Sequence, residues 1–530
     1  MFKNVLYIAF YCLICFLLSN NCDKYTSLFL LIEATLVYIF IISLQSRKTS
    51  TVVWLAYSVL LGAQISSIIS TGDYIIPLTI MNLSEASAIG FSQIFKITAI
   101  FLAYLILAMP VYFLPRLKSP WLKLFIFPVL FLQGPLTSSF ATLSATYKQM
   151  TFEPTNDSEN VAKKFLKYNI YKSSSLPAEM NIKEHPNVIV IFTEGLSEQV
   201  IDTVNKKGLD VTPNLDKYYN EQFIVKNYFN HTAATFRGLR GQLTSGYQYK
   251  GGYNANDTSG VGQISIEELK KTYNNSLISI ANILKSNGYG TYFLSADSSN
   301  SNLNNLMESL NFDKVYGKED FVINRPQAMS DKQTFESLQK IVEKTKDNFF
   351  IGVYCVGTHH GMDSPDEKYQ DGKNPYYNKF HNYDAQLGKF VDWFKQSPYY
   401  NNTILIITAD HATFPSPEYK ESFGSNAKYF VDRVPFILIG SGIHHFIYDA
   451  KGKNSLGTAP TILNLLKINR APNYFLGCSL FDTDCHSKFM WHSAIGDSYF
   501  STMPHGKEEE YQVTETEADP DIQAYYNISR

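Results

Sequence analysis

Cysteine is scarce, at six in 530 residues, too few for a disulfide framework to replace a hydrophobic core. Charge of one sign is lacking too. The formal net charge is −2 and no basic stripe appears, which argues against a nucleic-acid partner. Ser19-Asn20-Asn21-Cys22 offers neither a small-x-small cleavage pattern nor the small residues expected before a lipidated cysteine. The apolar run before it therefore reads as a membrane span rather than a removed signal. No internal repeat is evident.

Long apolar stretches are present, and they are unevenly spread. They dominate residues 1–140, whereas from about 145 the chain reads as a mixed globular sequence. Five candidate spans follow, at 5–19, 27–44, 52–69, 97–114 and 121–140, each near the roughly 20 residues that cross a ~30 Å hydrocarbon core. Lys3, Arg47, Lys48, Arg116, Lys118 and Lys123 flank alternate span ends, and the loops at 20–25 and 71–96 have no comparable cluster. Lys and Arg are retained in the cytoplasm, so an odd number of spans puts everything after about 145 outside it. Cys478 and Cys485 would then lie where a disulfide can persist, and the sequence leaves their pairing open. Glu33 falls inside the second span, where an ionisable group is a functional suspect unless it sits near the interface.

Residues 141–185 read as a polar linker with helical character, 186–485 as a catalytic domain, and 486–530 as an extension completing or flanking it. The extension turns acidic at Glu508-Glu509-Glu510 and from Glu515 to Asp521, a solvated surface or tail. From Pro186, short β-branched runs alternate with amphipathic stretches, the pattern of a mainly parallel sheet flanked by helices. Strands are predicted at 188–192, 291–295, 349–356, 403–408 and 435–439, and helices at 276–286, 331–344, 383–396 and 459–466.

Two of those strands end in acids. Val188-Ile189-Val190-Ile191-Phe192 leads into Thr193-Glu194-Gly195, and Ile404-Leu405-Ile406-Ile407 into Thr408-Ala409-Asp410-His411. Ligands of open α/β sheets bind beyond the carboxyl ends of the strands, so these side chains are well placed to hold a metal. Between them, Thr235-Phe236-Arg237-Gly238 puts a hydroxyl, an Arg and a Gly at a helix start, which suits phosphate chemistry. The bland alternative makes Thr235 an ordinary N-cap. Acid, hydroxyl, acid and imidazole together supply the ligands of a Zn²⁺ or Mn²⁺ site.

These segments resemble the alkaline phosphatase and sulfatase superfamily, in particular its membrane-bound phosphoethanolamine transferases and lipoteichoic acid synthase-like phosphoglycerol transferases. The resemblance covers about 186–484, and the five-span N-terminal region matches that group's layout. Phe192-Thr193-Glu194-Gly195 is similar to the first metal-ligand strand, and Thr235 precedes Thr244-Ser245-Gly246 at the family's spacing. Leu310-Asn311-Phe312-Asp313, Tyr383-Asp384, Leu387-Gly388, Asp410-His411, Ala459-Pro460-Thr461 and Leu476-Gly477-Cys478 follow in the family's order.

The resemblance implies that Glu194, Thr235, Asp410 and His411 bind one divalent metal, Zn²⁺ or Mn²⁺, with a second metal left open. It also makes Thr235 the nucleophile, with Thr232 the fallback one turn away. In Thr358-His359-His360-Gly361, one imidazole, His359 by preference, would steady the phosphate or protonate the leaving alkoxide. His360, Arg237 and Asp297 are expected substrate contacts, against plain readings in which His360 is structural, Arg237 and Arg240 pair with surface acids, and Asp297, Asn302 and Asn305 only shape turns.

Departures from the pattern narrow the reading. No Cys occupies the Thr235 segment, against formylglycine-dependent sulfate hydrolysis. Gly361 stands where Pro is common, Gly457 where Asp is common, and no His lies between His411 and Val434. The expectation is a five-span helical membrane bundle joined to an α/β alkaline-phosphatase-like domain, monomeric in the bacterial inner membrane with its catalytic domain periplasmic. It would move phosphoethanolamine or phosphoglycerol from a membrane phospholipid to an envelope glycan or lipid. A hydrolase using the same site and a non-catalytic scaffold are the alternatives.

Overall fold

The computed structural model describes residues 2–19, 24–71, 74–75, 80, 91–117, 119–150, 158–173, 176–248, 277–323, 327–346, 348–359, 361–427, 429–495, 498–503, 511, 513–517 and 519–529. His360, Lys118, the acidic run 508–510 and linker residues 151–157 lie outside them. The chain divides into two compact units, Met1–Thr151 with Pro415–Glu421, and Phe152–Phe414 with Ser422–Arg530.

The first unit contains α1 (Phe2–Leu18), α2 (Lys24–Ile42), α3 (Arg47–Thr71), α4 (Phe91–Ala108) and α5 (Pro135–Met150). Five full spans are not present among the described residues. Two stretches, Lys24–Ile42 and Arg47–Ile69, are long and apolar enough to cross a membrane, and Pro120–Phe131 with Pro135–Ser144, bent by 54°, makes a third if counted as one. Length explains the shortfall. At about 1.5 Å per residue α1 reaches only ~26 Å, and Pro110 hands α4 over to a 3-10 turn at Met109–Phe113.

The apolar side chains of α1, including Val5, Leu6, Phe10 and Leu17, face outward, while Asn4, Tyr11 and Cys15 are buried. Inside, Trp54 packs against Tyr7, Tyr11, Tyr38 and Tyr57 with ring centroids 4.9–6.4 Å apart. Glu33 is fully buried within the helical unit. Its carboxylate accepts the Leu136 N–H at 2.9 Å and the Tyr57 hydroxyl at 3.1 Å, so it caps the start of α5, where negative charge is favoured.

The second unit is built on an eight-stranded sheet: β1 (Asn187–Thr193), β2 (Phe223–Lys226), β3 (Gly290–Ser295), β4 (Lys314–Tyr316), β5 (Phe349–Cys355), β6 (Thr403–Ala409), β7 (Phe436–Ile439) and β8 (Phe446–Asp449). The spatial order is β4-β3-β5-β1-β6-β7-β2-β8. The first five run parallel, β7 is antiparallel to both β6 and β2, and β8 is parallel to β2. β1 lies between β5 and β6, buried from Val188 to Thr193, which is why its sequence is an unbroken apolar run rather than an alternating one. The register sets Thr193 opposite Cys355 and Ala409, so the residues after all three strands emerge at one edge.

The helices that carry the site are α6 (Thr235–Thr244), α7 (Asp331–Lys344), α8 (Pro375–Gln396) and α9 (Thr458–Leu465). α8 starts eight residues before the expected 383. Pro375 pre-sets its first turn, and Asn374 Oδ1 accepts the Tyr376 and Tyr377 N–H groups at 3.0 and 3.2 Å. Beyond the sheet, Ser158–Phe165 packs on the C-terminal helix Pro520–Ser529 through Phe165 and Tyr525, ring centroids 5.3 Å apart. Cys478 and Cys485 form a disulfide, Cα atoms 6.0 Å apart.

Candidate metal centre and nucleophile

Glu194 leaves the end of β1 and Asp410 the end of β6, and the backbone ties the two ends together. The Asp410 N–H donates to Thr193 O at 3.1 Å and the Gly195 N–H to Asp410 Oδ1 at 2.8 Å. Gly195 sits at φ +52, with His411 Cε1 3.3 Å from where a Cβ would stand, so glycine suits the position. The His411 N–H also donates to Asp410 Oδ1, at 2.7 Å. One oxygen of Asp410 is thus used by the backbone, and the other, Oδ2, is buried without a hydrogen-bond partner.

One ligand atom each from Glu194, Asp410 and His411 lies within 4.8 Å of the others, and all three residues are buried. His411 Nδ1 faces Ala412 O at 2.8 Å, and as a donor there it leaves Nε2 for the acids, 3.3 Å from Glu194 Oε1 and 3.5 Å from Asp410 Oδ2. Burial pushes the Asp410 carboxyl well up, and the Glu194 charge pushes it the same way. Burial alone would raise Glu194 too, but the His411 and His359 charges hold it below the usual range. Burial alone would lower His411; the Asp410 and Glu194 charges lift it to about 9. Two acids in one dry site call for a cation between them. An unpartnered buried carboxylate oxygen, a second carboxylate and an imidazole are a donor set that fits Zn²⁺ or Mn²⁺.

Thr235 opens α6, and Ala234, at φ +69, occupies the N-cap. The hydroxyl therefore does not cap its own helix. It donates to Glu194 Oε2 at 2.8 Å. α6 is pressed onto the end of β6: a Cβ on Gly238 would stand 2.3 Å from Asp410 O, and one turn later Gln242 Nε2 donates to Ala409 O at 2.9 Å and Asp410 O at 3.1 Å. Thr232 points elsewhere, its hydroxyl donating to Ala494 O at 2.8 Å.

The remaining expected residues spread around this centre. His359 is half-buried on the loop after β5, and the Thr358 hydroxyl donates to Glu194 O at 2.5 Å. Lys379 Nζ from α8 donates to His359 O at 3.4 Å. Gly361 takes φ +84, which proline cannot adopt. Gly457 has Met490 Cε and Cys478 O 2.9 and 3.0 Å from where a Cβ would stand, so a side chain there would have to displace its neighbours. Asp297 follows β3, and its charge acts on Tyr354. Arg237 Nε donates to Ala233 O at 3.4 Å and its charge acts on Tyr526. Arg240 is buried, and its guanidinium donates to Gln248 Oε1.

Three residues were missed by sequence reasoning. Tyr354 on β5 donates to Glu194 Oε2 at 2.5 Å; its signal is a phenol inside a fully buried strand, where the hydroxyl needs a partner. Glu198 is buried, its carboxylate accepting from Tyr219 at 3.1 Å and lying 3.8 Å from Arg433 Nε. Gln242 has no signal beyond its helix face.

Lipoteichoic acid synthase 2 of Bacillus subtilis (strain 168) is 25% identical over 316 residues, 54% of this chain and 46% of that protein. Phosphoglycerol transferase I of Escherichia coli (strain 55989 / EAEC) is 24% identical over 261 residues, 44% of this chain and 32% of that protein. The chain thus spans less than half the length of either relative. A crystal structure of a protein in the alkaline phosphatase superfamily from Vibrio parahaemolyticus superposes with TM-score 0.52 and 19% identity, covering 72% of this chain and 96% of that one. The sulfatase family model matches residues 186–468, more than half of the 530 residues, and takes in both acid-bearing strands and the threonine between them. The chain belongs to the sulfatase family, with the alkaline phosphatase superfamily fold.

Proposed function

We propose that this chain is a membrane-bound transferase that takes a phosphorylated headgroup from a membrane phospholipid and passes it, through a phosphothreonine at Thr235, to a hydroxyl on an envelope glycan or lipid. The observation that carries the reading is the Thr235 hydroxyl 2.8 Å from Glu194 Oε2, on the rim of a buried Glu-Asp-His triad. The names of the curated relatives, a lipoteichoic acid synthase and a phosphoglycerol transferase, favour phosphoglycerol over phosphoethanolamine.

In the first half-reaction Thr235 Oγ1 attacks phosphorus, its proton passes to Glu194 Oε2, and the P–O bond to the glycerol oxygen of the lipid breaks. His359 gives that oxygen a proton, releasing diacylglycerol. In the second, the acceptor hydroxyl attacks the same phosphorus, His359 takes its proton, and the Thr235 oxygen leaves and takes back the proton held on Glu194 Oε2, which restores both groups and gives ping-pong kinetics. A divalent cation held by Glu194, Asp410, His411 and the Thr235 oxygen would lower the pKa of the Thr235 hydroxyl and offset charge on the phosphoryl oxygens. Arg237, Asp297 and His360 are the proposed headgroup contacts.

The placement proposed is a bacterial inner membrane with the catalytic domain outside the cytoplasm. The Cys478–Cys485 disulfide favours that side. Mass spectrometry of the full chain, isolated from membranes and quenched during turnover, tests the reading. The peptide containing Thr235 should carry an added glycerophosphoryl or phosphoethanolamine mass. Turnover to free headgroup alone, with acceptor present, would instead favour a hydrolase.

A further inference from the structure

The carboxylate of Glu194 does two jobs with two different oxygens. Oε1 faces His411 Nε2 at 3.3 Å, and Oε2 accepts the Thr235 hydroxyl at 2.8 Å. A free carboxylate can flip about its terminal torsion, which is broad and roughly two-fold, so something must fix which oxygen faces which partner. The other donor on Oε2 is the Tyr354 hydroxyl, at 2.5 Å.

Tyr354 is itself immobile. It lies on β5, paired with Phe192 in β1 and with Ser295 in β3, so strands hold it on both sides. Only 3% of its surface is exposed, so the phenol cannot swing out to water. A hydroxyl on a central strand is a rigid pin, whereas Thr235 sits on a helix end behind a residue with positive φ.

We infer that Tyr354 is a positioning residue for the metal centre: its hydroxyl holds Glu194 Oε2 toward Thr235 and so presents Oε1 to the cation. This rests on the metal-centre reading proposed above. Partners that orient a ligand in this way typically change metal affinity 10- to 100-fold when removed.

The test is calorimetric titration of the full chain in detergent with Zn²⁺ and with Mn²⁺, comparing wild type, Tyr354→Phe and Tyr383→Phe. Tyr383 is the matched comparison: it is fully buried, and its hydroxyl bonds Thr193, next to Glu194, without reaching a ligand. Tyr354→Phe should retain its circular dichroism spectrum and bind metal about 10- to 100-fold more weakly, while Tyr383→Phe binds as wild type does. Equal affinity for wild type and Tyr354→Phe overturns the inference. So does an equal loss in both variants, or a Tyr354→Phe chain that cannot fold, since either makes the hydroxyl merely structural. If wild type binds neither cation, the metal-centre reading itself fails, an outcome distinct from failure of the Tyr354 role alone.

Discussion

The Gly195 N–H lies 2.8 Å from Asp410 Oδ1, so the turn after the first acid-bearing strand holds the acid at the end of the second. Because the Asp410 N–H bonds back to Thr193, the two strand ends form a closed backbone clasp. One oxygen of Asp410 is spent on the clasp, and the other is left for a ligand.

Nucleophile assignment separates two threonines three residues apart. Thr235→Ala should lower transfer by roughly three orders of magnitude or more, whereas Thr232→Ala, which loses a bond to the Ala494 carbonyl, should keep most activity at some cost in stability, on the order of 1 kcal/mol. Headgroup transfer from a labelled phospholipid in vesicles reads both. The reverse pattern would move the nucleophile to Thr232.

Chelation should act on stability as well as on activity. A ligand bound only to the folded state at about 100 times its dissociation constant adds roughly 3 kcal/mol. Chelator-treated protein should therefore melt at lower temperature than protein resupplied with Zn²⁺ or Mn²⁺. Asp410→Asn should abolish that difference. A melting temperature indifferent to chelator and to both cations would count against the centre.

Gly238 tests how tightly α6 is seated on β6. A Cβ there would stand 2.3 Å from the Asp410 carbonyl oxygen, and backbone cannot give way as a flexible side chain can. Gly238→Ala should cost roughly 1–3 kcal/mol by overpacking and weaken metal binding by displacing Asp410. Thermal melts and metal titration report the two effects separately. A variant as stable as wild type would mean that the helix can shift freely.

Glu198 gives the domain a pH-dependent weakness. Burial raises its carboxyl from the usual 4.5 to about 7, only partly offset by the Arg433 charge and the Tyr219 hydroxyl. The folded state therefore holds the proton more tightly than the unfolded chain does. Its contribution is fully present below about pH 4.5 and is lost as pH rises through about 7, on the order of 3 kcal/mol in all. Asp331, also raised to about 7 by burial, acts in the same direction. Melting temperature between pH 5 and pH 8 should fall less steeply in Glu198→Gln than in wild type, and parallel profiles would remove Glu198 as the cause.

Much of the sheet was legible in the sequence because its central strands are buried on both faces. β1 is one residue longer than expected at each end and β6 one residue longer at its C-terminal end only. The strands not anticipated, β2, β4 and β8, are three or four residues long and lie at or next to an edge, too short for a periodicity to register. Helix α8 was entered late because the stretch from Pro375 carries its apolar side chains among Asn378, Lys379 and Asn382, which face the loop after β5 and are themselves buried. The membrane unit misled for a different reason. Composition measures apolarity, whereas crossing requires unbroken helical length, and proline at 110 and at 135 breaks the run. At the centre itself, motif order pointed to Glu194, Thr235, Asp410 and His411, which the fold brings together. What no motif could show was Tyr354, because its relation to Glu194 comes from strand adjacency between β5 and β1 rather than from nearness in sequence.

The reversal of β7 bears on how such a protein can change its clientele. Because β7 runs against β6, the chain leaves the sheet at Asp410 and re-enters it at the same end, before Phe436. The intervening segment starts and finishes beside the reactive centre, and within it the Phe430 ring stands 5.2 Å from His411 and Arg433 pairs with Glu198. A parallel strand would have required the chain to cross back to the opposite end of the strands before re-entering the sheet. Here insertions or exchanges in the connecting segment leave the strand register and the clasp fixed. Selectivity and catalysis are thereby free to drift at different rates.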